Sequence, residues 1–149
     1  MMLYDMTDTR AMLETFSTPI PLGLDEVAAA IDACLNCEQA CVSCADADLE
    51  EPDVEGLRRC VALDQSCADV CGVTARLLSR PAHWDEFVAH RVLQACVRVC
   101  ANCAEECAHH AHHQPHCTVC ERACRACEQA CKALLDTEAF EELQKLSGA

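Results

Sequence analysis

The residues of this 149-residue chain best suited to chemistry are its sixteen cysteines. They recur at steps of three or four residues in four separate stretches, with one gap of seven. Steps of three and four place side chains on one face of an α-helix. Each stretch therefore predicts a helix with a stripe of thiols where a bundle normally keeps Leu, Ile and Val. The stretches hold Cys34, Cys37, Cys41 and Cys44; Cys60, Cys67 and Cys71; Cys96, Cys100, Cys103 and Cys107; and Cys117, Cys120, Cys124, Cys127 and Cys131.

Thiols on adjacent helical turns favour binding of a soft metal ion. Residues four apart on a helix have Cβ atoms about 5–6 Å apart, so their sulfurs can bridge one ion of low, near-linear coordination. Cu(I) is such an ion, and soft thiolate ligands select it. We therefore predict multiple Cu(I) ions per chain. The C-x-x-x-C pairs are Cys37/Cys41, Cys67/Cys71, Cys96/Cys100, Cys103/Cys107, Cys120/Cys124 and Cys127/Cys131.

Charge balance predicts how many ions such a core takes. Each ligating thiol must lose its proton, and the chain already carries a formal net charge of −14. With only half as many Cu(I) ions as thiolates, half of the thiolate charge would stay uncompensated in a dry core, which is very costly. We expect a metal load on the order of the cysteine count, with sulfurs bridging neighbouring ions.

Three residues other than cysteine join the predicted metal site. Asp64 lies on the stripe of the second stretch and could add an oxygen ligand, pair with a His or Arg, or hydrate that part of the core. His110 continues the third stripe three residues beyond Cys107, and His116 precedes Cys117. Because imidazole binds copper and titrates near neutral pH, both histidines are predicted to pass ions to the first thiols.

Other uses of cysteine fit less well. Zinc prefers a single tetrahedral site, so a zinc or mixed-metal thiolate buffer would bind far fewer ions. A thiol redox protein needs an accessible cysteine of low pKa near a helix N-terminus, for which Cys117 is the nearest candidate. Iron–sulfur clusters need irregular backbone around the cluster, and no C-x-x-C-H haem motif occurs. No catalytic pattern is visible, so an enzyme is not expected.

Composition limits the compartment and the partners. The acidic balance, with a pI near 4.7, disfavours nucleic acid and anionic membrane surfaces. No apolar run has the roughly 18 residues of a transmembrane helix, and we expect no secretory signal at the N-terminus. The predicted location is cytoplasmic, where thiols stay reduced and a disulfide scaffold is disfavoured.

The elements that must position these residues are helices. Strong helix formers fill the space between cysteines, and Gly and Pro are few. The prediction is an all-α protein: an antiparallel up-down-up-down four-helix bundle with short extra N- and C-terminal helices. We expect a short helix and linker over residues 1–23, the cysteine-lined bundle over 24–136 and a short helix over 137–149. The long helices are expected over about 25–49, 54–79, 84–112 and 116–136.

The antiparallel order predicts which cysteines meet. Counting from the two turns near residues 52 and 114 gives four layers, with Cys131 one step beyond. Past the last layer an apolar plug is expected, and isolated His83 and His90 are expected on the surface. The layers are Cys44, Cys60, Cys107 and Cys117; Cys41, Asp64, Cys103 and Cys120; Cys37, Cys67, Cys100 and Cys124; and Cys34, Cys71, Cys96 and Cys127. The predicted plug is Leu77, Leu78, Val88, Val92, Leu134 and Leu135.

This arrangement resembles the bacterial copper storage proteins, in particular their cytosolic branch. The similarity covers residues 25–136 and is most specific in CLNCEQACVSC, RCVALDQSCADVC and CANCAEECAHHAHHQPHCTVCERACRACEQAC. The resemblance implies a homotetramer of four-helix bundles, each storing many Cu(I) ions. It also implies that Asp64, His110 and His116 lie near the end where copper loads. It identifies no copper donor or acceptor protein.

Overall fold

The computed structural model describes residues 8–147, without the side chains of residues 143, 144, 146 and 147. All regular elements in this range are helical. The α-helices are α1 (Thr9–Glu14), α2 (Leu24–Leu49), α3 (Arg58–Leu78), α4 (Glu86–His110), α5 (Pro115–Leu135) and α6 (Glu138–Ser147), with short 3₁₀ turns at Val54–Leu57 and Pro81–His83. The predicted all-α class is confirmed. Residues 1–7 of the predicted N-terminal segment and residues 148–149 of the predicted C-terminal helix lie outside the described part.

The four long helices form an antiparallel bundle. Helix α2 packs on α3 and α5, and α4 packs on the same two neighbours, so the four surround one axis. Helix α1 lies on α2, and α6 lies across α4 and α5. Each cysteine stripe faces the axis, because a stripe with a mean period near 3.5 residues stays on one side of its helix. Within the described residues no helix is long and apolar enough to cross a membrane.

Local sequence sets the ends of the helices. Asp85 caps α4 by accepting a 3.0 Å hydrogen bond from the backbone N–H of Val88. Pro115 opens α5 at a position where no backbone donor is needed. The turn between α4 and α5 is closed by a 2.8 Å bond from the N–H of Gln114 to the carbonyl of His110. We call the end of the bundle that holds this turn and residues 50–53 the mouth.

The opposite end of the bundle is closed by apolar side chains. Leu78, Leu93 and Leu134 are fully buried there. The predicted plug was right for Leu78 and Leu134 but wrong for Val88, which is 49% exposed. The stripe of α4 continues backwards from Cys96 in steps of three and four, which reach Leu93 and Ala89 rather than Val92 and Val88.

The surface position expected for His90 was also wrong. His90 is only 5% exposed, and its ring lies 5.5 Å from that of Phe140. Helix α6 covers this face of α4, which places Phe140 over the imidazole. Burial lowers the pKa of His90, with a smaller contribution from the charge of Arg91.

Candidate metal centre

All sixteen cysteines are free thiols in the interior of the bundle. Each side chain is at most 1% exposed. A buried cysteine alone is an ordinary small apolar residue. Sixteen buried thiols inside one bundle form a column along its axis, which we call the thiol column.

Contacts between sulfurs follow the predicted layers. In the first layer the Cys44 and Cys117 sulfurs lie 3.9 Å apart, as do those of Cys60 and Cys107. The third layer joins Cys37 to Cys67 at 3.8 Å and to Cys124 at 3.7 Å. The fourth layer joins Cys34 to Cys96 and to Cys127 at 3.9 and 3.6 Å. Cys131 extends the column as expected, 3.7 Å from the sulfur of Cys34.

The layers are staggered rather than separate. Sulfurs of neighbouring layers touch as closely as sulfurs within a layer; Cys71 and Cys100 lie 3.6 Å apart, and Cys41 and Cys124 lie 3.7 Å apart. Groups of four sulfurs within 4.8 Å of one another therefore draw on two layers at once. One thiolate can serve two neighbouring ions, which the charge argument requires. Such groups include Cys34, Cys96, Cys127 and Cys131; Cys37, Cys41, Cys67 and Cys124; Cys41, Cys103, Cys120 and Cys124; and Cys71, Cys96, Cys100 and Cys127.

Two thiols in the middle of the column, Cys41 and Cys100, are held in their neutral form. Hydrogen bonding with Cys103 and other thiols, together with burial, raises the pKa of Cys41. Hydrogen bonding with Cys127 and burial raises the pKa of Cys100 in the same way. Proton loss from these thiols needs a cation to stabilise the thiolate, so metal binding and proton release are coupled.

Asp64 stands within the second layer, as predicted. Its side chain is fully buried. Oδ1 accepts hydrogen bonds from the thiols of Cys103 at 3.0 Å and Cys120 at 3.3 Å, and Oδ2 accepts one from Cys60 at 3.7 Å. Burial, with the nearby Cys103 thiol, raises the pKa of Asp64 to about 8. At neutral pH this carboxyl group is mostly uncharged.

Asp48 is a buried acidic residue at the mouth that the sequence interpretation did not include. It follows Cys44 by four residues and so continues the stripe of α2, a spacing that could have revealed it. Its side chain is fully buried. Oδ1 lies 2.7 Å from Nε2 of His116 and accepts a 3.7 Å hydrogen bond from the Cys117 thiol. The structure therefore links His116 to the first thiol layer through Asp48.

His110 takes part in a second carboxylate–imidazole pair that was also missed. Its Nε2 lies 2.8 Å from Oε2 of Glu106. Arg59 donates from Nε to Oε1 of the same carboxylate at 3.1 Å. The imidazole side chains of His110 and His116 are 22% exposed, while the carboxylates behind them are buried. Each histidine is thus oriented from inside and reachable from solvent.

Cys117 is the thiol of the first layer best placed to ionise. Hydrogen bonds from Cys107, Cys44 and Cys60 lower its pKa. It also lies in the first turn of α5, where the helix dipole favours an anion. Its side chain is fully buried, unlike the accessible cysteine that disulfide exchange needs.

A helical bundle with a thiol column and a polar, imidazole-bearing mouth defines a class of protein that binds soft metal ions in its interior. The sequence model of the copper storage protein family matches residues 24–136. The chain belongs to this family.

The chain is similar in fold to solved structures of copper storage proteins. The chain is 48% identical to the copper storage protein Ccsp of Streptomyces lividans, solved with ten copper equivalents; the match covers 85% of this chain and 97% of that one, with a TM-score of 0.84. A form of the cytosolic Streptomyces lividans protein with five coppers is 52% identical over 76% of this chain and 94% of that one, with a TM-score of 0.75. Cu(I)-bound BsCsp3 is 29% identical, with 73% and 97% coverage and a TM-score of 0.66.

One curated relative is a cysteine-rich protein of Bacillus subtilis, YhjQ, whose function is uncharacterised. The two chains are 32% identical over 72 residues, which is 48% of this chain and 63% of that protein. This likeness therefore spans less than two thirds of the Bacillus protein.

Proposed function

We propose that this protein stores Cu(I), binding many ions per chain through the thiolates of its column. The observation that supports this function is the network of sulfur contacts, 3.6–4.0 Å long, that joins the second to fourth layers and Cys131. Asp64 links this network to the thiols of the first layer. Soft thiolates at this spacing select Cu(I) and can bridge neighbouring ions. The copper-loaded Streptomyces lividans and BsCsp3 structures support the same conclusion.

The column thiolates are the proposed ligands, with Asp64 beside the second layer and His110 and His116 at the mouth. Loading begins at the imidazoles, because they are the potential ligands that solvent reaches. An ion then moves from His116 to Cys117, the first-layer thiol whose pKa is lowered by its thiol neighbours, and on to the deeper thiols. Each thiol that binds releases its proton, so the charge of the column stays near neutral as it fills.

An anaerobic titration with Cu(I) against a competing chelator tests storage. The reduced full-length chain is expected to hold ions on the order of its sixteen cysteines under conditions where the chelator strips weak sites. Saturation at two or three ions would contradict storage and favour a zinc buffer or a transfer protein. Storage rather than catalysis is the proposed role, and the cytoplasm is the proposed location, since only a reducing compartment keeps sixteen thiols free.

Self-association into a homotetramer is proposed as the quaternary state. Three apolar side chains on the outer face of α2 support it. Leu35, Val42 and Leu49 are spaced by seven residues and are 44%, 58% and 54% exposed. A stripe with heptad spacing suits packing against another helix, and burial of such residues between subunits is favourable.

A further inference from the structure

The mouth differs from the rest of the column in the hardness of its donors. The deeper four-sulfur groups offer thiols alone. At the mouth, the fully buried carboxylate of Asp48 faces the first layer. Its Oδ1 is bonded to His116, whereas its Oδ2 is buried and has no hydrogen-bond partner among the residues that the structure describes. A buried carboxylate oxygen without a partner is costly, which marks this position as one that a cation would stabilise.

Thiols of the first layer lie beside this carboxylate. Cys44 and Cys117 have their sulfurs 3.9 Å apart, close to the separation of about 3.8 Å that two sulfurs take at tetrahedral zinc with Zn–S bonds of about 2.3 Å. The Cys117 sulfur lies 3.7 Å from the Asp48 carboxylate. Cys60 belongs to the same layer, and hydrogen bonding with Cys107 and Cys117, and to a smaller extent with Asp48, raises the pKa of its thiol.

One oxygen and three thiolates form a donor set of intermediate softness. Calcium and magnesium take oxygen ligands, and Cu(I) is served by the thiols without an oxygen. Zn²⁺ accepts thiolate and carboxylate ligands together in a four-coordinate site, and Co²⁺ of the same charge can take its place. We propose that Asp48 Oδ2, with the thiolates of Cys44, Cys60 and Cys117, forms a four-coordinate site for a divalent cation of the zinc class.

His116 would orient the ligand in this site. Its bond to Oδ1 holds the carboxylate in place beside the thiols, in the way that groups behind a metal ligand commonly do. The three thiols lose their protons to solvent as the ion binds. The site uses three thiols of the first layer, so a divalent ion and Cu(I) compete there. It binds its ion whether or not the deeper column stores copper.

Asp64 serves as an internal comparison. It too is a fully buried carboxyl group among thiols. Both of its oxygens, however, already accept thiol hydrogen bonds, Oδ1 from Cys103 at 3.0 Å and Oδ2 from Cys60 at 3.7 Å. It lies deeper than the mouth, and no exposed imidazole is bonded to it among the described residues. A divalent ion added first is therefore expected at Asp48.

Cobalt(II) titration tests the site directly. One equivalent of Co²⁺ is added anaerobically to the reduced, copper-free full-length protein. The intensity of sulfur-to-cobalt charge transfer counts the thiolates, and the positions of the visible bands distinguish three sulfurs plus one oxygen from four sulfurs. We expect three sulfurs and one oxygen, with Zn²⁺ displacing the cobalt. Asp48→Asn should weaken binding of the first equivalent at least about tenfold, while Asp46→Asn, at an exposed acid on the same helix, should leave it unchanged.

An all-sulfur spectrum in the wild type would overturn the site, and so would a response to Asp64→Asn in place of Asp48→Asn. If Asp48→Asn does not fold, the Asp64→Asn protein still decides between the two buried aspartates, because loss of the oxygen-containing spectrum would assign the oxygen to Asp64 and overturn the site, whereas its persistence excludes Asp64 and supports Asp48. Cu(I) capacity is measured on the same preparations. Loss of the cobalt site with copper capacity retained supports a separate divalent site, whereas low copper capacity in the wild type contradicts storage and leaves the cobalt result intact.

Discussion

Nε2 of His116 lies 2.7 Å from Oδ1 of Asp48, and this bond joins the solvent-accessible surface of the mouth to the buried thiol column. The imidazole is 22% exposed and the carboxylate fully buried. The same carboxylate oxygen accepts a bond from Cys117. The carboxylate of Asp48 therefore connects an ion bound at His116 to the first thiol, that of Cys117.

Asp48→Asn is expected to slow Cu(I) uptake without reducing the number of ions finally held. The neutral amide oxygen accepts a weaker hydrogen bond from the imidazole than the carboxylate does, and loss of such an orienting group typically costs about 10- to 100-fold. Stopped-flow transfer from a Cu(I) chelator measures the rate, and an equilibrium titration measures capacity. Asp46→Asn is the control, since Asp46 is an exposed acid on the same helix. Equal rates in the two variants would contradict an orienting role for Asp48.

Asp64→Asn is expected to make the copper-free protein more stable than wild type at pH 8, with little difference near pH 4. Burial raises the pKa of Asp64 from 3.8 to about 8, so the folded state holds this proton more tightly than the unfolded state. Wild-type stability therefore falls as pH rises from about 4 to 8, by up to about 5 kcal/mol. The amide has no proton to lose and avoids this penalty.

Urea unfolding of the reduced, copper-free protein at several pH values measures the effect. Asp69→Asn, an exposed change on the same helix, should follow the wild-type curve. Parallel curves for Asp64→Asn and wild type between pH 4 and 8 would show that Asp64 is already ionised in the folded protein.

Replacing Cys67 and Cys71 together by Ser is expected to lower Cu(I) capacity by about two ions, if each thiolate accounts for one ion in a bridged column. Their sulfurs lie 3.9 Å apart and each contacts Cys100. Metal analysis after a chelator challenge measures capacity. Ser66→Ala, an exposed substitution beside Cys67, is the control. Unchanged capacity in the double variant would mean that these thiols are not ligands.

Leu93→Ala is expected to destabilise the copper-free bundle by about 2–5 kcal/mol, because it leaves a cavity in a fully buried position. Copper capacity should stay the same, since Leu93 lies beyond the last thiols. Val88→Ala on the same helix is 49% exposed and should change stability by no more than about 0.5 kcal/mol. Similar losses in both variants would contradict the assignment of Leu93 to the closed end.

Val42→Glu is expected to shift the assembly towards smaller species, because a charge would enter the apolar stripe of α2. Light scattering coupled to size exclusion measures the mass. Val119→Glu makes the same change at a similarly exposed residue of α5, 52% against 58% exposed, outside the stripe. A wild-type monomer, or dissociation by Val119→Glu alone, would contradict an interface on α2.

Much of the bundle and its column could be predicted from the sequence. Cysteines at steps of three and four residues must share one face of a helix. Because short turns make neighbouring helices antiparallel, the turns also determine which cysteines of adjacent stripes lie at the same level. The layer that joins Cys44 to Cys117 followed from that register. The same argument extended to Val88 failed, because one residue on a helix is a rotation of about 100°, enough to move a side chain from the core to the surface.

Asp48, Glu106 and His90 show what only the tertiary structure decided. A lone acid or histidine within a helical run is normally solvated, and nothing in the local pattern shows which neighbour will cover it. Asp48 is buried because α5 brings His116 over it, Glu106 because α3 supplies Arg59 beside it, and His90 because Phe140 of α6 packs across its ring. Periodicity determined the thiol column; contacts between helices distant in sequence decided the chemistry of its mouth.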